Sequence, residues 1–209
     1  MPTGLAAGRS AQRTRQRILE AAILRFSENS YESTTLRDIA VDVGVDVALV
    51  HRSFGSKEDL FRAAVRGAFR GGFLDGVGSA DLGGAIADAL FRPRVDAALR
   101  PIDPLDIVTH SLSSVQASPI LREFVMGDYI APLAMRLGGA AQQRAALAIA
   151  CLTGIVILRD VLRIEPLMDQ PRQELQPLIE KIMRACLVED EGSAVPLDDG
   201  RPGIVVPTS

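Results

Sequence analysis

The 209-residue sequence has no tryptophan, two tyrosines, two histidines and two cysteines. Cys151 and Cys186 lie far apart, outside any CxxC spacing and within apolar helical patterns, so a disulfide framework is not expected. They read as buried thiols of a reducing compartment, and the expected location is cytoplasmic. His51 and His110 cannot make a metal site with so few thiols, and no metal or cofactor is expected. Long apolar runs are missing too. The most apolar stretch, residues 145–158, is closed by Arg144 and Arg159 and is too short to span a bilayer. Arginines and polar residues interrupt the first thirty positions, so no secretory leader is expected. Paired catalytic carboxylates and a nucleophile beside a base are absent, which argues against an enzyme. Gly71-Gly72 and Gly76-x-Gly78 lack the following lysine and preceding strand of a phosphate loop.

What is present is a globular composition, 47% hydrophobic, with a net charge of −3 that excludes a general basic coat. Any nucleic-acid contact must therefore be local. Lys57 and Lys181 are the only lysines; the basic charge is otherwise arginine. Arg9, Arg13, Arg15 and Arg17 precede the first acid, Glu20, which puts a basic arm on an acidic molecule.

The periodicity is helical throughout, and the expected fold is all-α with about nine helices. Residues 1–10 read as a flexible arm and residues 189–209, acidic then rich in proline and glycine, as a disordered tail. Residues 11–60 read as an N-terminal three-helix helix-turn-helix domain and 61–188 as a C-terminal helical domain. The first helix, over 12–27, carries the stripe Ile18, Ala22 and Phe26. Thr35 with Asp38, and Ser56 with Asp59, have capping-box spacing; Asp46 caps the helix between them. Asp103-Pro104 and Ser118-Pro119 open two later helices, the second reaching toward residue 129 or past Pro132 to 137. Helices are also expected over 83–99, interrupted near Pro93, over 140–163 and over 172–188, the last bent by Pro177.

The informative stretch is 34–60. Ile39, Ala40, Val43, Gly44, Val45 and Val50 have helix-turn-helix spacing, with Gly44 supplying the positive φ of the turn. Val45 and Val50 then face inward, which puts Val47, Ala48, His51 and Arg52 outward, where a major-groove reader needs them. The wider segment, residues 13–65, resembles the N-terminal domain of the TetR family of regulators. The resemblance rests on Ile18-Leu19-Glu20-Ala21-Ala22 with Phe26, on Thr34-Thr35-Leu36-Arg37-Asp38-Ile39-Ala40, and on Gly44-Val45, Phe54, Lys57 and Leu60. The stretch 144–167 also resembles C-terminal regions of actinobacterial members. The resemblance implies a helical effector-binding and dimerisation region after the DNA-binding domain. Three positions depart from the family pattern: Ser30 stands in place of glycine, so that Asn29-Ser30 must turn under strain, His51 in place of tyrosine, and Ser53 in place of an aromatic or histidine.

The expected DNA-contacting set is Thr35, Leu36, Arg37, Val47, Ala48, His51, Arg52, Ser53 and Lys57. Thr35 is a helix cap, a phosphate ligand, or both. Arg37 is a backbone clamp or the partner of a nearby acid. Arg52 suits guanine O6 and N7, with a phosphate as the alternative. By resemblance Lys57 and His51 are phosphate contacts; a solvated lysine and a structural histidine are the other readings. Val47 and Ala48 suit thymine methyls. In the C-terminal half, Phe69, Phe73, Phe91, His110, Ser114, Phe124 and Met126 are candidate effector contacts, each with ordinary core as the alternative. The expected function is a repressor that binds a near-palindromic double-stranded operator as a homodimer and is released by a small, apolar effector. Helices 140–163 and 172–188 are expected to join the subunits, Ala141, Ala145, Ala148 and Gly154 allowing close approach. A helical interaction module or an enzyme on the same scaffold is the competing class.

Overall fold

The capping boxes and Gly44 shape the N-terminal third as their spacing requires. A computed structural model of the chain describes residues 3–69, 81–91, 103–138 and 141–187. Regular structure among the described residues is helical, with no strand. Helix α1 (Thr3–Glu28) is followed by α2 (Leu36–Val43), α3 (Val47–Phe54) and α4 (Lys57–Ala68). The C-terminal half contains α5 (Leu82–Leu90), α6 (Pro104–Ser111), α7 (Ala117–Phe124), α8 (Ala131–Arg136), α9 (Gln142–Val156), α10 (Glu165–Met168) and α11 (Arg172–Leu187).

Two expectations about the N-terminus are corrected. Residues 3–10 are the first turns of α1 and not a separate arm. Leu5, Ala6, Ala7 and Gln12 favour helix enough to carry single glycines at 4 and 8, each costing about 1 kcal/mol. The turn at Asn29-Ser30 is also unstrained, since Arg163 is the one non-glycine residue with positive φ among those described. Side chains close this turn: Asn29 Nδ2 donates to the Arg25 carbonyl at 3.1 Å, and Thr34 Oγ1 to the Ser30 carbonyl at 3.1 Å.

Later helices begin within two residues of their sequence-predicted starts, and the part of the 83–99 helix beyond residue 91 lies outside the described residues. Asp103 caps α6 through the Leu105 amide at 2.9 Å, with Pro104 in the first turn. The Ser118-Pro119 helix does continue past Pro132, through a π-helical segment, Val125–Ile130. Pro132 has no N–H to give and its ring crowds the carbonyl four residues back, so the helix widens just ahead of it. A second π segment, Ile157–Val161, ends the α9 helix, and α10 was not foreseen.

Two hydrophobic clusters organise the molecule. The first joins α1 to α4 through Ile18, Ala22, Phe26, Ile39, Val50, Leu60 and Phe61, and it also takes in Ile107 of α6 and Ala117, Ile120, Leu121 and Phe124 of α7. The second joins α5, α8, α9 and α11. The N-terminal cluster therefore draws on side chains well beyond residue 60. Gly83 lets α5 lie directly on α11: a Cβ there would come within 2.7 Å of Arg184 Cγ.

Candidate nucleic-acid interface

Helix α2 begins at Thr35, whose hydroxyl accepts from the Asp38 amide at 3.2 Å and donates to Asp38 Oδ2 at 2.6 Å. The hydroxyl is thus committed to the cap, and the phosphate-binding capacity of this terminus lies in the backbone amides that follow it. The Asp38 carboxyl is held below its usual range by the Thr35 side chain and then by the Thr35 amide. At the other end of α2, Gly44 has φ 71° and ψ 42°. The Val45 amide reaches the Ala40 carbonyl at 3.0 Å and the Gly44 amide reaches that of Val41 at 3.1 Å, a Schellman closure. Asp46 Oδ1 then accepts from the Ala48 amide at 2.6 Å and starts α3.

On α3, Val50 is fully buried, while Ala48, His51 and Arg52 are exposed. Val47 is half-buried and packs on the N-terminal core, less open to the groove than Ala48. Ser53 is half-buried, its hydroxyl donating to the Leu49 carbonyl at 2.7 Å. His51 Nδ1 lies 2.9 Å from the Gly55 carbonyl. A carbonyl only accepts, so Nδ1 carries a proton and the free ring position is Nε2. Arg37 and Arg52 make no hydrogen bond or ion pair with the described residues. Leu36 is half-buried against the core.

Lys57 opens α4 behind the Ser56–Asp59 capping box. Its Nζ lies 4.2 Å above the ring of Tyr31. Burial pulls Lys57 below the usual lysine value, against the opposing pull of Glu32, Glu58 and Asp38. Tyr31 itself is buried among Phe26 and Phe61, with centroids 6.1 and 5.0 Å away.

The arginines of α1 perform a role that sequence reasoning missed. Arg17 Nη2 donates to the Val43 carbonyl at 2.8 Å. Arg15 reaches the Ser53 carbonyl at 3.3 Å and stacks 4.2 Å over the Phe54 ring. Arg25 grips Asp42 with two bonds, 2.5 and 2.8 Å. Arg17 is therefore occupied within the protein and is not a free member of a phosphate-seeking arm. Spacing along one helix gives no sign of these long-range partners.

The effector candidates do not form one constellation. Phe69, Phe124 and Tyr129 make an aromatic trio with centroids 5.1 to 6.1 Å apart. Phe91 is elsewhere, in contact with the guanidinium groups of Arg159 and Arg172 at 4.9 and 5.2 Å from its ring centroid. His110 is exposed, its Nδ1 on the Asp106 carbonyl at 2.8 Å, and Met126 is exposed on the π segment. Phe73 lies outside the described residues. Buried Ser114 caps α7 by accepting from the Ala117 amide at 2.9 Å. Its side chain also hydrogen-bonds Glu32 of the α1–α2 turn and holds that carboxyl below its usual range. Ser114 thus ties the two halves together, as do Arg62–Glu123 and Arg66–Asp128, each 3.3 Å. The described residues contain no group of three or more His, Cys, Asp or Glu able to hold a metal, and no described helix is long and apolar enough to cross a membrane.

A helix-turn-helix whose second helix is pinned by Val50 and keeps Ala48, His51 and Arg52 exposed has the form of a DNA-binding regulator. Residues 18–64 match the family model of the bacterial regulatory proteins of the tetR family, and residues 80–187 match that of the tetracyclin repressor-like C-terminal domain. The chain belongs to the TetR family. It is 28% identical to a TetR-family regulator of Streptomyces coelicolor, with a TM-score of 0.55 over 84% of this chain and 95% of the other. Over 62 residues it is 39% identical to the transcriptional repressor AcnR of Corynebacterium glutamicum, 30% of this chain and 33% of that one. Over 55 residues it is 34% identical to IcaR, the negative regulator of a biofilm operon in Staphylococcus epidermidis, 26% and 30% of the two chains. The chain thus spans about a third of the length of these curated relatives.

Proposed function

We propose that this protein is a repressor that binds a near-palindromic operator as a homodimer in the cytoplasm and leaves it when a small, apolar effector binds. The observation that carries the reading is the outward face of α3, where Ala48, His51 and Arg52 are exposed beside the free amides that open α2. Arg52 takes a base edge or phosphate, and His51 and Lys57 take phosphates. A half-site of this size needs a second one for specificity. Leu147 and Leu158 on the α9 helix, with Leu178 and Ile182 on α11, leave an apolar face uncovered that suits a second subunit. Ala141, Ala145 and Ala148 point instead into the protomer's own core, so the subunits meet on the leucine face. For the effector, the Phe69–Phe124–Tyr129 trio is the favoured wall, because it joins α4 to α7 and the π segment.

Gel shifts against genomic fragments, followed by footprinting, test this reading. Protection of two symmetric half-sites about one helical turn apart is expected. Binding that is uniform across sequences, or none, would overturn it.

A further inference from the structure

We infer that Cys151 and Cys186 form an intramolecular disulfide when the protein meets a two-electron oxidant such as hydrogen peroxide, fastening α9 to α11 and weakening operator binding. These are the chain's only cysteines, and the fold brings them together across 34 intervening residues. On α9, Ala148 and Leu152 face the core and Leu147 faces out, leaving Cys151 on the flank. On α11, Ile179 and Met183 face the core and Leu178 and Ile182 face out, leaving Cys186 on a flank as well. These flanks form the seam between the helices, which Arg144 also bridges by donating to the Leu187 carbonyl at 3.3 Å. There both thiols are partly exposed and pack against the same core cluster, and the Cys151 thiol acts on that of Cys186. Two thiols on facing flanks of packed helices, within reach of a molecule as small as a peroxide, are an attacking thiol and its resolving partner.

The roles divide by environment. Burial, and then the Cys151 thiol, push Cys186 above its usual value, which makes it the poorer first nucleophile. The first attack falls to Cys151. Its thiolate attacks one peroxide oxygen, the O–O bond breaks, and water leaves with a sulfenic acid on Cys151. Cys186 Sγ then attacks Cys151 Sγ, losing its proton as the sulfenic hydroxyl departs as a second water. Two thiols are oxidised by two electrons and one peroxide is reduced to two waters. Closing the sulfurs to ~2.05 Å draws the helices together along the face proposed to join the subunits. The effect on DNA binding rests on that dimer reading; the disulfide itself does not.

The test treats the full-length protein with hydrogen peroxide and maps its peptides without reductant. The expected product is one linked pair containing residues 151 and 186, lighter by two hydrogens, with neither thiol open to alkylation until dithiothreitol is added. C186S should stop at a sulfenic acid on Cys151 that dimedone traps. Operator affinity of oxidised wild type should fall at least fivefold, with no change in C151S. Thiols that stay alkylatable, or a disulfide only between chains, would overturn the site; a linked protein with unchanged affinity would overturn its coupling to DNA. If reduced protein binds no operator, the repressor reading fails while the peptide map still decides the disulfide.

Discussion

Arg17 donates from Nη2 to the carbonyl of Val43 at 2.8 Å, placing a positive charge at the end of α2, whose own last turn has none. Arg13, one turn earlier, makes no hydrogen bond or ion pair with the described residues. The two should separate cleanly. Arg17→Ala should cost about 1 kcal/mol of stability and leave the salt dependence of binding unchanged. Arg13→Ala should leave the melt unchanged and flatten the plot of log affinity against log salt by about 0.9. Chemical denaturation and a salt titration of the gel shift read the two effects.

His51 turns Nε2 outward, because its Nδ1–H is given to the Gly55 carbonyl at 2.9 Å. His51→Ala should weaken operator binding by about tenfold and leave the melt unchanged. His51→Tyr, whose hydroxyl also donates, should restore most of that affinity. Gel shifts and circular dichroism read the two effects.

Acid should loosen the N-terminal unit. Asp42 is lowered chiefly by its hydrogen bond to Arg25, Asp38 by Thr35 and Asp59 by Ser56. A carboxyl that is more acidic folded than unfolded contributes stability above its unfolded value, near ~4, and loses it as pH falls through the folded one. Melting temperature followed by circular dichroism should therefore drop on acidification below about pH 4. Asp42→Asn should start lower at neutral pH and fall less steeply.

The subunit face can be tested without touching the core. Leu147 is 59% exposed and Ala148, beside it, 1%. Leu147→Arg should give a folded monomer by light scattering that no longer shifts the operator. Ala148→Arg should fail to fold, because it forces a charge into the cluster of Leu152, Met183 and Leu187. A folded dimeric Leu147→Arg protein would move the joint to another surface.

The parts of this molecule readable from its sequence are those decided within a few residues. Thr35 and Asp38 cap each other across one turn, Gly44 alone tolerates the left-handed turn, and Asp103-Pro104 starts a helix. What depended on distant chain was hidden. Helical periodicity puts Val47 with Ala48 on the outward side of α3, and only the position of the α1–α4 core shows that Val47 is half-buried against it. The α9 helix is apolar on several sides, so the sequence cannot tell which small residues face the core; Ala145 and Ala148 do. Ser114 read as a pocket residue because its partner, Glu32, lies 82 positions away.

Because Ile107, Ala117, Ile120, Leu121 and Phe124 fill the same cluster as α1–α4, the reading head is not a detachable cassette. A chimera joined just after α4 would graft a head whose inner wall belongs to another protein, with mismatched side chains where these five sit. Re-targeting this regulator by exchanging heads requires that α6 and α7 travel with the graft, or that only the outward residues of α3 be rewritten.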